Sequence, residues 1–200
     1  MKRRSLGRVA YEPTWRAMQA FNGARTPETP DELWLCEHPP VFTLGLAGRR
    51  EHVIAPGTIP VVATDRGGQV TYHGPGQAMA YVMLDLRRRG IGPKELVRRM
   101  EQSVIDLLAG HGIEGVRRAG MPGVYAGEAK IAAIGLRIAR GCSYHGLALN
   151  VDADLEPFSR IDPCGYPGLA CTRLADLGSA DKMEAVQQEL ASHLETCLTT

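Results

Sequence analysis

"GVYAGEAKIAAIGLRIARGCSYHGLALNVD", residues 123–152, decides the fold class. It holds three runs of branched, aromatic and small apolar residues, "GVYAG", "KIAAIGLRIAR" and "YHGLALNVD", joined by turns as tight as "RGCS". Parallel neighbours need a long crossover connection, and turns this short leave no room for one. The runs therefore predict consecutive antiparallel strands. One residue is out of keeping with them. Lys130 stands near the start of the middle run, and an ammonium is costly to desolvate unless something compensates it. The ordinary reading is a lysine at a strand mouth that snorkels to water.

Working outward, "EPTWRAMQAFN" (12–22) brings Trp15, Met18 and Phe21 close to helical spacing, and "PKELVRRMEQSVIDLLAGHG" (93–112) is the clearest helix. Pro93 suits its first turn, Leu96, Met100, Val104, Leu107 and Leu108 form one apolar stripe, and Gly110 and Gly112 stop it. A last helix over 181–197 places Met183, Val186, Leu190 and Leu194 on one side. Further strand-like runs are "ELWLCEH", "VFTLG", "PVVATD" and "AMAYVMLDL", the last ending at a basic turn, "RRRG". The stretch before the first helix is uninformative. The pattern predicts an α+β fold, a single domain over 1–200 with a mostly antiparallel or mixed β-sheet packed with helices.

The 200 residues are 44% apolar and 22% charged, with a net charge of +1, so nothing in bulk points to nucleic acid or a membrane. No apolar stretch approaches the roughly 20 residues a membrane span needs. The five cysteines are odd in number and irregularly spaced, which suits reduced thiols in a cytoplasm. No zinc-ligand spacing links Cys142, His145, Cys164 and Cys171, so no metal is expected.

Three segments carry chemistry. "RGGQVTYHGPGQ" (66–77) lies between strand-like runs; its glycines let backbone approach a ligand closely, and Arg66, Thr71, Tyr72, His73 and Gln77 add polar groups. A glycine-rich hairpin with incidental polar residues is the plain alternative. It matches neither dinucleotide nor Walker fingerprints. "RIDPCGYPG" puts Cys164 between proline and glycine, the setting of a rigid irregular loop that displays a thiol and not of a core strand. "CSYHGLALNVD" opens a strand with His145, which by itself reads as a structural histidine.

Taken together and in order, "RGGQVTYHGPGQ", "AKIAAIGLRI", "GCSYHGLALNVD" and "IDPCGYPG", with "EHPPVFTLG" upstream, resemble the lipoyl(octanoyl) transferases. The resemblance implies a fold like the catalytic domain of biotin and lipoate protein ligases. It implies transfer of an octanoyl or lipoyl group from acyl carrier protein to a lysine of lipoyl domains, those of 2-oxoacid dehydrogenase complexes and the glycine cleavage H protein. It assigns the nucleophile to Cys164 and its partner to Lys130. It assigns substrate contacts to Arg66, Gly67, Gly68, Gln69, Val70, Thr71, Tyr72 and His73, to Ala133, Ile134 and Gly135, and to Gly146, Leu147 and Ala148. It implies no cofactor, a cytoplasmic monomer, and no nucleic-acid or membrane partner.

The chemistry agrees with those residue types. A thiol is both a soft nucleophile and a good leaving group, but an ordinary cysteine, with pKa about 8.5, is only a small fraction thiolate at neutral pH. A neighbouring cation favours the thiolate, and a lysine in its neutral form accepts a proton. The incoming acceptor amine, with pKa about 10.4, must also lose one. Ala132, Ala133, Ile134, Gly135, Leu147 and Ala148 are expected to line a dry slot for the acyl chain, with His73 a reserve base or oxyanion donor. Arg87, Arg88, Arg89, Arg98, Arg99, Arg117 and Arg118 are expected to offer an acidic carrier protein a basic face. Two rival readings are an ATP-dependent lipoate–protein ligase and a non-catalytic carrier-binding module. The first lacks its usual serine-glycine-rich loop here, and the second has no need of both Lys130 and Cys164.

Overall fold

Residues 1–162 and 168–199 are described by a computed structural model of the chain. The long antiparallel run predicted from 123–152 is there: β8 (Met121–Ala126), β9 (Ala129–Ala139) and β10 (Cys142–Asn150) pair in succession. They extend through β6 (Gln77–Met83) and β2 (Glu32–Glu37), with β7 (Gly115–Arg118) at one edge and β1 (Lys2–Arg8) at the other. The seven-stranded order is β1-β2-β6-β10-β9-β8-β7, antiparallel except that β1 runs parallel to β2. A smaller sheet, in the order β4-β3-β5, is made of β3 (Val41–Leu44), β4 (Val61–Ala63) and β5 (Val70–His73).

Burial follows position. Every residue of β6 and β10 is buried, as expected of central strands covered on both faces. The edge strand β1, "KRRSLGR", is nearly all exposed; its arginines blunt an edge that would otherwise invite pairing. Those same charges hide it from a search for apolar alternation, so the stretch that reads as featureless is a strand.

Two cores flank the large sheet. On one face, α3 (Pro93–Gly110) and α4 (Met183–Thr199) pack Leu96, Met100, Val104, Leu107, Val186, Leu190 and Leu194 onto Leu33, Val82, Leu147 and Leu149. On the other, α1 (Tyr11–Gly23) packs Tyr11, Trp15 and Met18 onto Trp34, Met79, Tyr81, Tyr144 and Ala148. The three long helices match the apolar stripes read from sequence. The basic "RRRG" is more than a turn: Leu86–Arg89 form a one-turn helix, α2, capped by the Asp85 carboxylate accepting from the Arg87 and Arg88 amides and closed by Gly90 in the left-handed region. β5 lies inside the glycine-rich segment and pairs with β3, so that segment is not a simple hairpin with β6.

Candidate active site

Between the large sheet and the loop that leads into β5 lies a cavity of about 540 Å³. Its floor is set by strand register. Gly135 on β9 pairs with Gly146 on β10, and Ala133 pairs with Ala148, which pairs in turn with Met79 on β6. Small residues at these positions leave the floor low. The roof is Arg66 to His73. It is drawn down onto β9 by the Gly67 amide donating to Leu136 O at 2.7 Å, and a Cβ on Gly135 would sit only 3.0 Å from Gly67 O. The cavity thus gathers all three segments assigned to substrate contact, 66–73, 133–135 and 146–148, together with Lys130.

Of the expected slot residues, Ala132 does not line the cavity. Side chains alternate along a strand, so Ala132, Ile134 and Leu147 pack with the core beneath α3 and α4, Ile134 and Leu147 bordering the cavity as well. Arg66 also behaves differently from a fork offered to a ligand. Its guanidinium donates to Thr43 O at 2.6 Å, Gly67 O at 2.9 Å and Gln69 O at 2.8 Å, so it ties the roof to β3. The basic face keeps an excess of positive charge: Arg88 and Arg89 share Asp31, Arg98 and Arg99 share Glu95, Arg117 pairs with Glu101, Arg118 with Glu128, and Arg87 lies 3.8 Å from Asp85.

Lys130 does not snorkel. It is 5% exposed, its Nζ donates to Pro122 O at 3.1 Å and stands 5.3 Å from the centre of the Tyr125 ring. Its backbone is bracketed by the segment around Cys171: Lys130 N–H donates to Ala170 O at 2.8 Å and Thr172 N–H to Lys130 O at 3.0 Å. Cys171 also lines the cavity. Cys164 lies outside the described residues.

The sequence reading missed a second polar cluster. Asp65, next to Arg66, accepts from Trp15 Nε1 at 2.7 Å, Gln19 Nε2 at 3.1 Å, His145 Nε2 at 2.8 Å and the Tyr144 hydroxyl. Burial alone would raise its carboxyl, but the bonds from His145, Tyr144, Gln19 and Trp15 outweigh that and hold it well below the usual carboxylate range. His145 is not at a strand start but within β10, with φ +62, which breaks the alternation and lets it stack on its neighbour Tyr144 at 5.1 Å. Burial depresses its basicity against the pull of Asp65. His73, on the roof, is driven well below ordinary histidine basicity by burial and by the Arg66 charge, and is neutral at physiological pH.

Known proteins resemble the chain in sequence and in fold. An octanoyltransferase of Thiobacillus denitrificans is 64% identical over 195 residues, 98% of this chain and 89% of that protein. One of Alkalilimnicola ehrlichii is 60% identical over 95% of this chain and 88% of its own length. Among solved structures, a lipoate-protein ligase A bound with ATP superposes with a TM-score of 0.78 at 17% identity, covering 100% of this chain and 86% of its own. The biotin protein ligase of Aquifex aeolicus gives 0.62 at 12% identity, covering 99% and 70%. At those identities the likeness is one of fold, and it is the fold expected from the sequence. With the family model for the lipoyl protein ligase A/B catalytic domain matching residues 11–195, the chain belongs to that family.

Proposed function

We propose that Cys164 carries the acyl group as a thioester and that Lys130 moves the protons of both halves of an octanoyl transfer. The chain is an octanoyltransferase of protein lipoylation, as its highly identical relatives are named. The observation that supports the mechanism best is a buried lysine at the wall of an otherwise largely apolar cavity, on the strand that also supplies Ala133 and Gly135. In the first half, Lys130 takes the Cys164 proton and the thiolate attacks the donor's thioester carbonyl; a new C–S bond forms, the donor's C–S bond breaks, and the donor thiol leaves with the proton returned from Lys130, which is left neutral. In the second, the acceptor lysine's amine forms a C–N bond, Cys164 departs as thiolate, and the amine's proton passes to Lys130. Octanoyl-acyl carrier protein is the donor. The lipoyl domains of 2-oxoacid dehydrogenase complexes and the glycine cleavage H protein are the acceptors, and the enzyme acts as a cytoplasmic monomer. Among the described residues no helix is long and apolar enough to cross a membrane.

Intact mass after incubation with octanoyl-acyl carrier protein and no ATP tests this reading. One hydroxylamine-labile octanoyl adduct is expected, absent from Cys164→Ala; an adduct that persists there, or maps to Cys142 or Cys171, overturns the assignment. A dependence on ATP would favour ligase chemistry instead.

The floor makes a second expectation. Ala148 is 5% exposed and lies between Ala133 and Met79, so Ala148→Leu fills the slot. With about 0.8 kcal/mol for each CH₂ kept out of the cavity, displacing two methylenes should lower kcat/KM for the octanoyl donor about tenfold relative to a hexanoyl donor. An unchanged octanoyl-to-hexanoyl ratio would move the acyl chain off this floor.

A further inference from the structure

A line of buried polar side chains runs from His73 on the roof to the strap that brackets the Lys130 backbone. His73 Nδ1 lies 3.1 Å from Gln77 Oε1; Gln77 Nε2 donates to Asn150 Oδ1 at 3.0 Å and to Tyr72 O at 3.2 Å; Asn150 Nδ2 donates to Thr172 O at 2.9 Å. Donor counting fixes its direction. Gln77 commits both amide hydrogens to acceptors, so its Oε1 accepts, and His73 carries its proton on Nδ1. Beyond Thr172, the chain continues into the Lys130 backbone through the paired bonds at Ala170 and Thr172. His73, Gln77 and Asn150 are each at most 5% exposed and line the same cavity as Met79 and Ala148. Such a trio costs desolvation that apolar residues of the same size would avoid, which calls for a reason beyond folding.

The reason lies in how the 170–172 strap is held. Among the described residues it joins no extended ladder: it meets β9 at an isolated bridge between Lys130 and Cys171. Asn150, the last residue of β10, supplies a side-chain bond that fixes the strap at Thr172 O. We infer that Asn150 is a positioning residue, which clamps the strap against β9 and so holds the Lys130 ammonium at the cavity wall. The inference rests on the role given to Lys130 above.

Asn150→Asp retains size and the oxygen that Gln77 donates to, but turns an oxygen toward Thr172 O in place of a donor. Asn150→Ser is too short to reach Thr172 and leaves room for water, so the test does not depend on one variant folding. The readouts are single-turnover octanoyl transfer to a lipoyl domain, KM, the pH profile of cysteine alkylation, and thermal unfolding. Loss of one bond that acts on the transition state is expected to cut kcat at least about tenfold in both variants. KM should stay within about twofold and the alkylation profile should move to higher pH, the pattern of losing an interaction made only in the transition state. A wild-type kcat and an unmoved profile in either folded variant would overturn it, as would a loss of rate no larger than the loss of folded protein. If wild-type protein shows no octanoyl adduct on Cys164, the cysteine assignment fails, while the kcat effect of Asn150→Asp still decides this inference.

Discussion

Lys130→Met will lose both halves of the reaction, each by about 10²-fold or more, the usual worth of a positioned proton-transfer group. The methionine keeps the bulk of the aliphatic stem between Gly123 and the Tyr125 ring, where a Cβ on Gly123 would already press on Lys130 Cε at 3.3 Å, so packing changes little. What vanishes is the ammonium that donates to Pro122 O and faces the cavity. Lys130→Arg separates the two duties. A guanidinium preserves positive charge but never offers a neutral nitrogen. If charge activates the thiol and a neutral amine receives the acceptor's proton, the arginine variant acylates Cys164 at a substantial rate and then stalls, accumulating acyl-enzyme. Single-turnover assays of each half, with rapid quench and intact mass, read this directly. Near wild-type rates in both halves for Lys130→Met would return this lysine to structure alone.

How far all this could be read in advance depended on whether the signal was local. β8, β9 and β10 were legible because the turns between them are too short for any crossover, and α3 because proline, apolar stripe and glycine agree over eighteen residues. β1 was not, since an edge strand has no apolar face to show, and β5 was hidden inside a glycine-rich segment. At the site, the segments 66–73, 133–135 and 146–148 were found by resemblance, and the paired registers of β9 and β10 explain why they meet. Which side chains face the cavity was less accessible: Leu147 and Ala148 look alike in sequence, and only the period of two sends one to each core. The Asp65–His145 pair spans eighty positions and depends on one residue in the left-handed region. The faint clue was a histidine, a type that tolerates that region better than branched residues, just ahead of Gly146.

That pair carries the second large effect, on stability. Asp65→Ala strips the acceptor from Trp15, Gln19, Tyr144 and His145 at once, and so loosens α1 from β10 and from the cavity roof. Leaving buried donors unpaired costs about 1–3 kcal/mol each where water cannot replace the partner, and the side chain here is 24% exposed, so part is recovered. The expected net loss is about 2–4 kcal/mol, or roughly a 5–10 °C fall in Tm for a chain of this size. Asp65→Asn keeps one acceptor oxygen but turns an amide donor toward groups that also donate, and falls between. The pH dependence has a definite sign. A carboxyl held below its usual range stabilises the fold fully above the unfolded value near about 3.9, and that contribution fades as pH falls through the lower folded value. Wild type should therefore lose, on acidification below about pH 4, a share of stability that Asp65→Ala never had, and the two unfolding curves should converge. His73 and His145 work in the same direction from higher pH: burial lowers the basicity of both, so acidification below about 6.5 already favours the unfolded chain, which binds those protons more readily. Urea unfolding of wild type and Asp65→Ala from pH 7 to 3 measures both. Parallel curves with a constant gap down to pH 3 would mean that the Asp65 charge contributes nothing to holding α1 on the sheet.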